Sequence, residues 1–226
     1  MTQQLDSMAW PAVAAIAGES LLAIPLGSTE QHGPHLPCTT DTDVAVALAR
    51  ELATRRDDVV VAPALAYGSS GEHAGFAGTL SLGGPAFRQA VVELVRSADV
   101  FAGVVLVCAH GGNAEPLADA LRTLRDEGRR VLAWSPSIAG GDAHAGRTET
   151  SVLLALRPDA VALDQAETGD VRPIDAILPQ LRDGGVQSVS PNGVLGDPSG
   201  ASAAEGATLL AALADDLVAS VAGWAA

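Results

Sequence analysis

Four short runs made only of apolar residues, at 21–26, 59–62, 104–108 and 131–134, are separated by longer stretches whose apolar residues recur at helical spacing. This alternation limits the possible folds more than any other feature of the chain. A run with no polar member has no face it can turn to water, so each reads as a strand covered on both sides, as in a parallel sheet. Residues 41–54 carry Val44, Ala45, Leu48, Ala49 and Leu52 at helical period, with acids at the start where a helix dipole favours them. Residues 85–102 read as a helix with Pro85 in its first turn. Asn113 is placed to cap a helix over 114–127, with Gly128 just beyond it. Residues 148–156 read as a helix that stops before Pro158, and 202–222 as a final amphipathic helix. The stretch 157–200 is the least patterned. It has turn signals at Asp183-Gly184-Gly185 and Pro191-Asn192-Gly193, and a short β-like piece at 186–189. Strand–helix alternation of this kind predicts an α/β fold: a single three-layer domain over residues 1–226, its mostly parallel sheet covered by helices on both faces.

Composition narrows the class. Of 226 residues, 48% are apolar but only 3% are aromatic, so Ala, Val and Leu must fill the core. Acidic residues outnumber basic ones 27 to 13, for a net charge of −14. That balance argues against a nucleic-acid surface, which needs clustered Lys and Arg, and against docking on anionic membranes. Two cysteines, Cys38 and Cys108, make no disulfide framework, and a reducing cytoplasm is the expected compartment. Residues 1–10 lack a basic segment followed by an apolar one, so no signal peptide is expected. The longest apolar run, 100–109, is half the roughly 20 residues of a membrane helix.

In sheets of this kind ligands bind beyond the carboxyl ends of the strands. All five histidines (His32, His35, His73, His110 and His144) fall in the segments expected there, beside Glu30, Asp41, Glu72 and Glu149. Imidazole and carboxylate together bind first-row divalent ions such as Zn, Mn and Fe(II). Glu30 and His32 are two apart, so in extended backbone both point the same way. Asp41 could bridge two ions, and Asp43 is a rival that spacing does not exclude. His110 adds an imidazole after a second buried strand, and Gly111-Gly112 lets backbone approach a ligand closely. If Glu30 and Asp41 were only capping or surface acids, the gathering of the histidines would go unexplained. A metal pair suits hydrolysis, because it acidifies water and polarises a carbonyl. A general acid or base is then needed, for which His144 and any unligated carboxylate qualify.

Other classes fit less well. No Gly-x-Ser-x-Gly turn supports a serine hydrolase. Gly27-Ser28-Thr29 does not supply a dinucleotide-binding loop. A non-catalytic scaffold holding a structural metal would favour cysteine ligands over carboxylates.

The stretch Leu26-Gly27-Ser28-Thr29-Glu30-Gln31-His32-Gly33-Pro34-His35-Leu36-Pro37, then Thr40-Asp41, His110-Gly111-Gly112-Asn113, His144-Ala145-Gly146 and Glu149-Thr150-Ser151, closely resembles the creatininase (creatinine amidohydrolase) family. The short length and the tail from Gly185 to Pro198 resemble its mycofactocin-system peptidase branch. The resemblance implies a creatininase-like α/β metal-dependent amidohydrolase with two divalent ions (Zn, Fe(II) or Mn), assembled as a homo-oligomer, often a hexamer. It implies metal ligands at Glu30, His32, Asp41 (bridging), His110 and Glu149. Creatininase has a ligand Glu where this chain has Gly112, and Glu149 is the expected replacement. His144 matches a His that handles substrate or protons, and His73 a substrate-binding loop His followed by the family-like Gly75-Phe76-Ala77-Gly78-Thr79-Leu80. The family usually has Asn-Gly where this chain has Cys108-Ala109, and Pro where it has Ala77. For this branch the implied reaction is hydrolysis near the C-terminus of a modified precursor peptide by a metal-activated water, releasing a Val-Tyr-derived unit. The alternative within the family is opening of a small cyclic amide or hydrolysis of a formamide.

Overall fold

The computed structural model describes residues 3–225. Residues 1, 2 and 226, which belong to the expected domain span and in part to the N-terminal reading, lie outside it. All four apolar runs are strands of one sheet: β2 (Leu21–Leu26), β3 (Val59–Val61), β4 (Gly103–Cys108) and β5 (Val131–Trp134). A two-residue strand, β1 (Gln3–Gln4), joins the β3 edge and is too short to show in the sequence pattern. The order is β1-β3-β2-β4-β5, and every pairing is parallel.

The two-residue period of a strand divides its side chains between the two faces of the sheet. Leu21, Ala23, Val59, Val61, Val105 and Val107 enter one core cluster, with Leu48 and Leu52 of α2 (Thr40–Arg55), Leu153 of α5 (Arg147–Leu156) and Leu217 of α7 (Ala203–Ala225). Leu22, Ile24, Leu26, Val60, Val104 and Leu106 enter the other, with Phe87 and Val91 of α3 (Gly84–Ser97) and Leu117 and Leu124 of α4 (Ala114–Asp126). Each buried Val or Leu contributes about 1.5–3 kcal/mol relative to exposure, so the apolar runs hold the layers together. A short helix, α1 (Trp10–Ile16), precedes β2 and buries no residue.

Pro25 stands inside the central strand, where a missing N–H normally costs a ladder bond. Its carbonyl accepts from Leu65 on the β3 side, where β3 itself has already ended at Val61. The absent donor falls on that side, beyond the end of β3.

Three local expectations need correction. The helix expected over 85–102 ends at Ser97, because Ala98 N–H turns back to Val95 and the Ala102 N–H is taken by Ala17 and Ser20 as the chain enters β4. The β-like piece at 186–189 is the last turn of α6 (Ile174–Val189). Its chain passes through Gly185 at φ 68°, and Val186 packs with Ile177 and Leu195 in a separate cluster, so packing overrides β-propensity there. Asn113 does not cap α4 with its side chain, which is engaged elsewhere. In addition, among the described residues Ala203–Trp224 of α7 is long and apolar enough to cross a membrane, by length and composition alone. In the fold its Leu213, Ala214, Leu217 and Val221 face the core, and Asp216 accepts a hydrogen bond from the Trp134 indole.

The chain leaves β2 for β3 on one side and later returns to β4 on the other. At such a reversal the loops after the two central strands diverge and open a crevice. Leu26 and Cys108 are in register at the ends of β2 and β4, and Ala109 N–H continues the ladder to Leu26 O.

Candidate metal centre

The loop after β2 is folded back by Glu30 N–H bonding to Cys38 O and Leu36 N–H to His32 O. That places Glu30 and His32 over the end of the sheet. Asp41 lies in the first turn of α2, where the helix N-terminus favours a carboxylate, and Ser28 Oγ donates to its Oδ2 at 2.7 Å. His110 follows β4 directly. Asn113 ties three loops together: its amide donates to Gly27 O at 3.1 Å and its carbonyl accepts from Ser69 N–H at 2.8 Å. His144 is held by a two-way backbone bridge to Leu195, and Glu149 sits in the first turn of α5.

These segments bring the expected residues together. Asp41 Oδ2 is 3.0 Å from His110 Nδ1, and Asp41 Oδ1 is 3.3 Å from His32 Nε2. Glu30 Oε2 is 3.3 Å from His110 Nε2, and Glu30 Oε1 is 3.3 Å from His73 Nε2. Glu149 Oε2 approaches His32 Nε2 at 4.0 Å and accepts the Ala145 N–H at 2.6 Å. Two sets of donor atoms, Glu30–Asp41–His110 and His32–His144–Glu149, each lie within 4.8 Å of one another, and Glu30–His73–His144 forms a third. The distant ring nitrogens find backbone acceptors: His32 Nδ1 faces Glu30 O at 3.1 Å and His110 Nε2 faces Ser69 O at 2.9 Å. His32 Nε2 and His110 Nδ1 are turned to Asp41 and would be the ligating nitrogens once their protons leave, the usual outer-shell arrangement of ligating imidazoles.

Not every loop acid or histidine takes part. Asp43, the rival of Asp41, turns away to Arg157 and Thr39. His35 bonds Thr150 Oγ1 at 2.8 Å and stays behind the cluster. His73, by contrast, does join the cluster: it lines the crevice, buried, with its ring directed at Glu30. Gly112, where creatininase carries a Glu, is needed as glycine: a Cβ there would overlap the Glu72 carboxylate and the Ser69 carbonyl. Cys108 is buried, which raises its thiol pKa, and its Sγ donates to His110 O. Three contributors carried no chemical signal in the sequence reading: Ser28 on Asp41, Gln31 between His73 and His144, and α6 along the crevice wall. Gln31 stood inside the Glu30–His32 motif, the one signal that could have marked it.

Electrostatics match a site built for cations. Burial of Glu30, with Asp41 beside it, raises its pKa to about 7, against the pull of His110 and His32. Burial lowers the His32 pKa, but Asp41, with Glu149 and Glu30, outweighs it and brings the value to about 10. His110 follows the same pattern and reaches about 9, with Asp41 again the main opposing partner. Asp41 is held well below the usual carboxylate range; burial opposes this, and His32 and His110 prevail. His73 falls to about 3 and His144 is strongly lowered, in both cases through burial and then through His32. Burial raises Glu149.

The donor set fits divalent cations. Glu30 Oε2 is buried without a hydrogen bond, its nearest nitrogen being His110 Nε2 at 3.3 Å, and a cation there would meet it directly. Neutral imidazole and carboxylate are what borderline first-row ions take. The centre opens onto a crevice of about 1760 Å³, walled by Glu72, Asp142, Leu178, Arg182 and Val186.

A parallel α/β sheet with a carboxylate–imidazole centre at its switch point is the build of a metal-binding α/β protein. The model of the creatininase family, described as creatinine amidohydrolase, matches residues 6–221. The chain belongs to that family, one of hydrolases. It is 48% identical over 233 residues to the mycofactocin precursor peptide peptidase of Mycobacterium ulcerans (strain Agy99), covering 99% of this chain and 89% of that protein. Among solved structures it is similar to a manganese form of creatininase (27% identity, TM-score 0.79, 98% of each chain). It is also similar to a zinc–zinc form of a creatininase variant (26% identity, TM-score 0.77, 96% of each chain).

Proposed function

We propose that this chain is a divalent-metal-dependent peptidase that hydrolyses the modified mycofactocin precursor peptide near its C-terminus. Asp41 carries the reading: its two oxygens face His110 and His32 separately, the placement that would let one carboxylate serve two cations. Glu30, Asp41 and His110 would hold one cation, and His32, Asp41 and Glu149 the other; zinc, manganese and iron(II) all suit this set. Bound there, the cations lower the pKa of a water and polarise an amide carbonyl. The chain's own groups do the rest. Ser28 fixes Asp41, and His73 steadies Glu30 Oε1. His144 presents a neutral ring at the mouth of the centre and carries the proton toward the departing amine. Glu149 is oriented by Ala145 N–H.

Crevice size favours a peptide over a small cyclic amide. At about 1760 Å³ it exceeds the roughly 300–1,000 Å³ typical of small-ligand pockets. The name of the 48%-identical relative supports the same substrate. Assembly as a homo-oligomer, such as a hexamer, belongs to the same reading.

The test is incubation of the metal-loaded protein with the modified precursor peptide, followed by mass spectrometry. Cleavage near the C-terminus that stops on chelation and returns with metal is expected. An intact peptide alongside turnover of creatinine-like cyclic amides would replace this reading with the alternative. No turnover of any amide, with or without chelator, would leave a metal-binding scaffold.

A further inference from the structure

Gln31 is 5% exposed and lies between two candidate ligand positions, and its side chain is committed to other groups. The backbone fixes both ends of its amide. Oε1 accepts the Gly33 N–H at 2.8 Å, and Nε2 donates to Gly193 O at 3.0 Å. These partners decide which end is nitrogen. The remaining Nε2 hydrogen has two imidazole neighbours, His73 Nδ1 at 2.9 Å and His144 Nε2 at 3.0 Å. His144 Nε2 is also 2.9 Å from the backbone carbonyl of Gln31, which can only accept. His144 Nε2 therefore carries a proton and cannot take the amide's. The amide hydrogen goes to His73 Nδ1, whose own proton then sits on Nε2, facing Glu30 Oε1 at 3.3 Å.

We infer that Gln31 is a positioning residue that sets the tautomers of both crevice imidazoles. Through its side chain it makes His73 an Nε2–H donor to Glu30. Through its carbonyl it makes His144 an Nε2–H ring whose bare Nδ1 faces the carboxylates, 4.0 Å from Glu30 Oε1. Two consequences follow. Glu30 is tethered to His73 through Oε1, leaving Oε2 on the His110 side, and His144 offers a lone pair rather than a proton at the start of a reaction cycle. The tail motif gains a role as well. Gly193 has φ 82°, and a Cβ there would overlap the Gln31 amide, so the Pro191-Asn192-Gly193 turn is the wall that holds the amide in register.

The catalytic consequence rests on the two-cation reading; the tautomers do not. The test uses the full chain with 15N-labelled histidine, both metal-free and loaded with zinc. Long-range proton–nitrogen correlation separates Nδ1–H from Nε2–H rings, and His73→Ala and His144→Ala assign the signals. Both rings are expected as Nε2–H in each state; either one found as Nδ1–H or doubly protonated overturns the inference. Gln31→Met keeps the length but removes the amide, and His73 should become a tautomer mixture while kcat falls about 10–100-fold with little change in KM. Gln31→Glu is nearly isosteric and replaces a donor with an acceptor, so His73 should move to Nδ1–H. If this variant folds and His73 stays Nε2–H, Gln31 does not set the tautomer. Wild-type protein that shows the expected tautomers but cleaves no peptide would instead remove the functional reading and leave this one standing.

Discussion

Ala145 gives its backbone N–H to the Glu149 carboxylate at 2.6 Å from a left-handed conformation, φ 52°. Among the described residues no other non-glycine has positive φ. The conformation is sterically costly for an L-residue and here aims a donor at a candidate ligand. Ala145→Gly should change stability by less than about 1 kcal/mol, because relief of strain offsets the added freedom of the unfolded chain. Ala145→Val should destabilise by about 2–4 kcal/mol, since a β-branched residue is excluded from this region and the site is fully buried. Urea unfolding of the two variants measures both. Equal stabilities would show that the conformation bears no strain.

Asp41 and Asp43 occupy the same helical turn but opposite surroundings. Asp41→Asn should strip bound metal and lower the rate at least 10²-fold, in line with the loss of a first ligand. Asp43→Asn breaks only a partly exposed pair with Arg157 and should cost no more than about 1 kcal/mol, with metal and rate unchanged. Metal analysis beside kinetics separates them, and the opposite pattern would move the bridge to Asp43.

Much of this centre could be read from the chain before its shape was known, and the reason is local. Strands buried on both faces have no polar residues, so the runs at 21–26 and 104–108 were visible, and the residues just past them were marked as crevice residues. Asp41 could not be told from Asp43, because both are acids in one first turn and only the packing of α2 decides which one faces the sheet. Gln31 carried no chemical signal; its role arises from groups 42, 113 and 162 positions away. α6 was illegible because Pro179 and Gly185 interrupt its pattern.

Metal uptake should expel protons. With pKa values of about 10 and about 9, His32 and His110 are protonated in metal-free protein at pH 7.5, and a cation needs their lone pairs. Calorimetry in buffers of different ionisation enthalpy should report about two protons released per loaded centre, and affinity should rise with pH up to about 10. Uptake with no proton exchange would contradict this pairing with Asp41.

The same shifts fix the sign of the metal-free protein's pH dependence. Both folded-state values lie above the ordinary 6.5, so their stabilisation is full below pH 6.5 and is lost as pH rises through about 9 and then about 10. Glu30, at about 7, has finished titrating by then. The urea midpoint should therefore fall between pH 8 and pH 10. A flat profile over that range would show that the imidazoles are not held charged by Asp41.

His144→Ala should keep both cations and lose about 10²–10⁴-fold in rate, the usual worth of a positioned proton carrier. A drop to one bound cation would make it a ligand of the His32–Glu149 pair.

Because β2 and β4 end side by side, Glu30, His32 and Asp41 come from one stretch of chain while His110 and Glu149 come from another that begins beyond the turn at 98–102. No contiguous piece owns a complete binding place. A cation held there would act as a rivet across the central seam of the sheet. Loading should therefore raise the urea midpoint of the whole chain, and in a chain nicked at that turn the loaded halves should need more urea to part than the stripped ones.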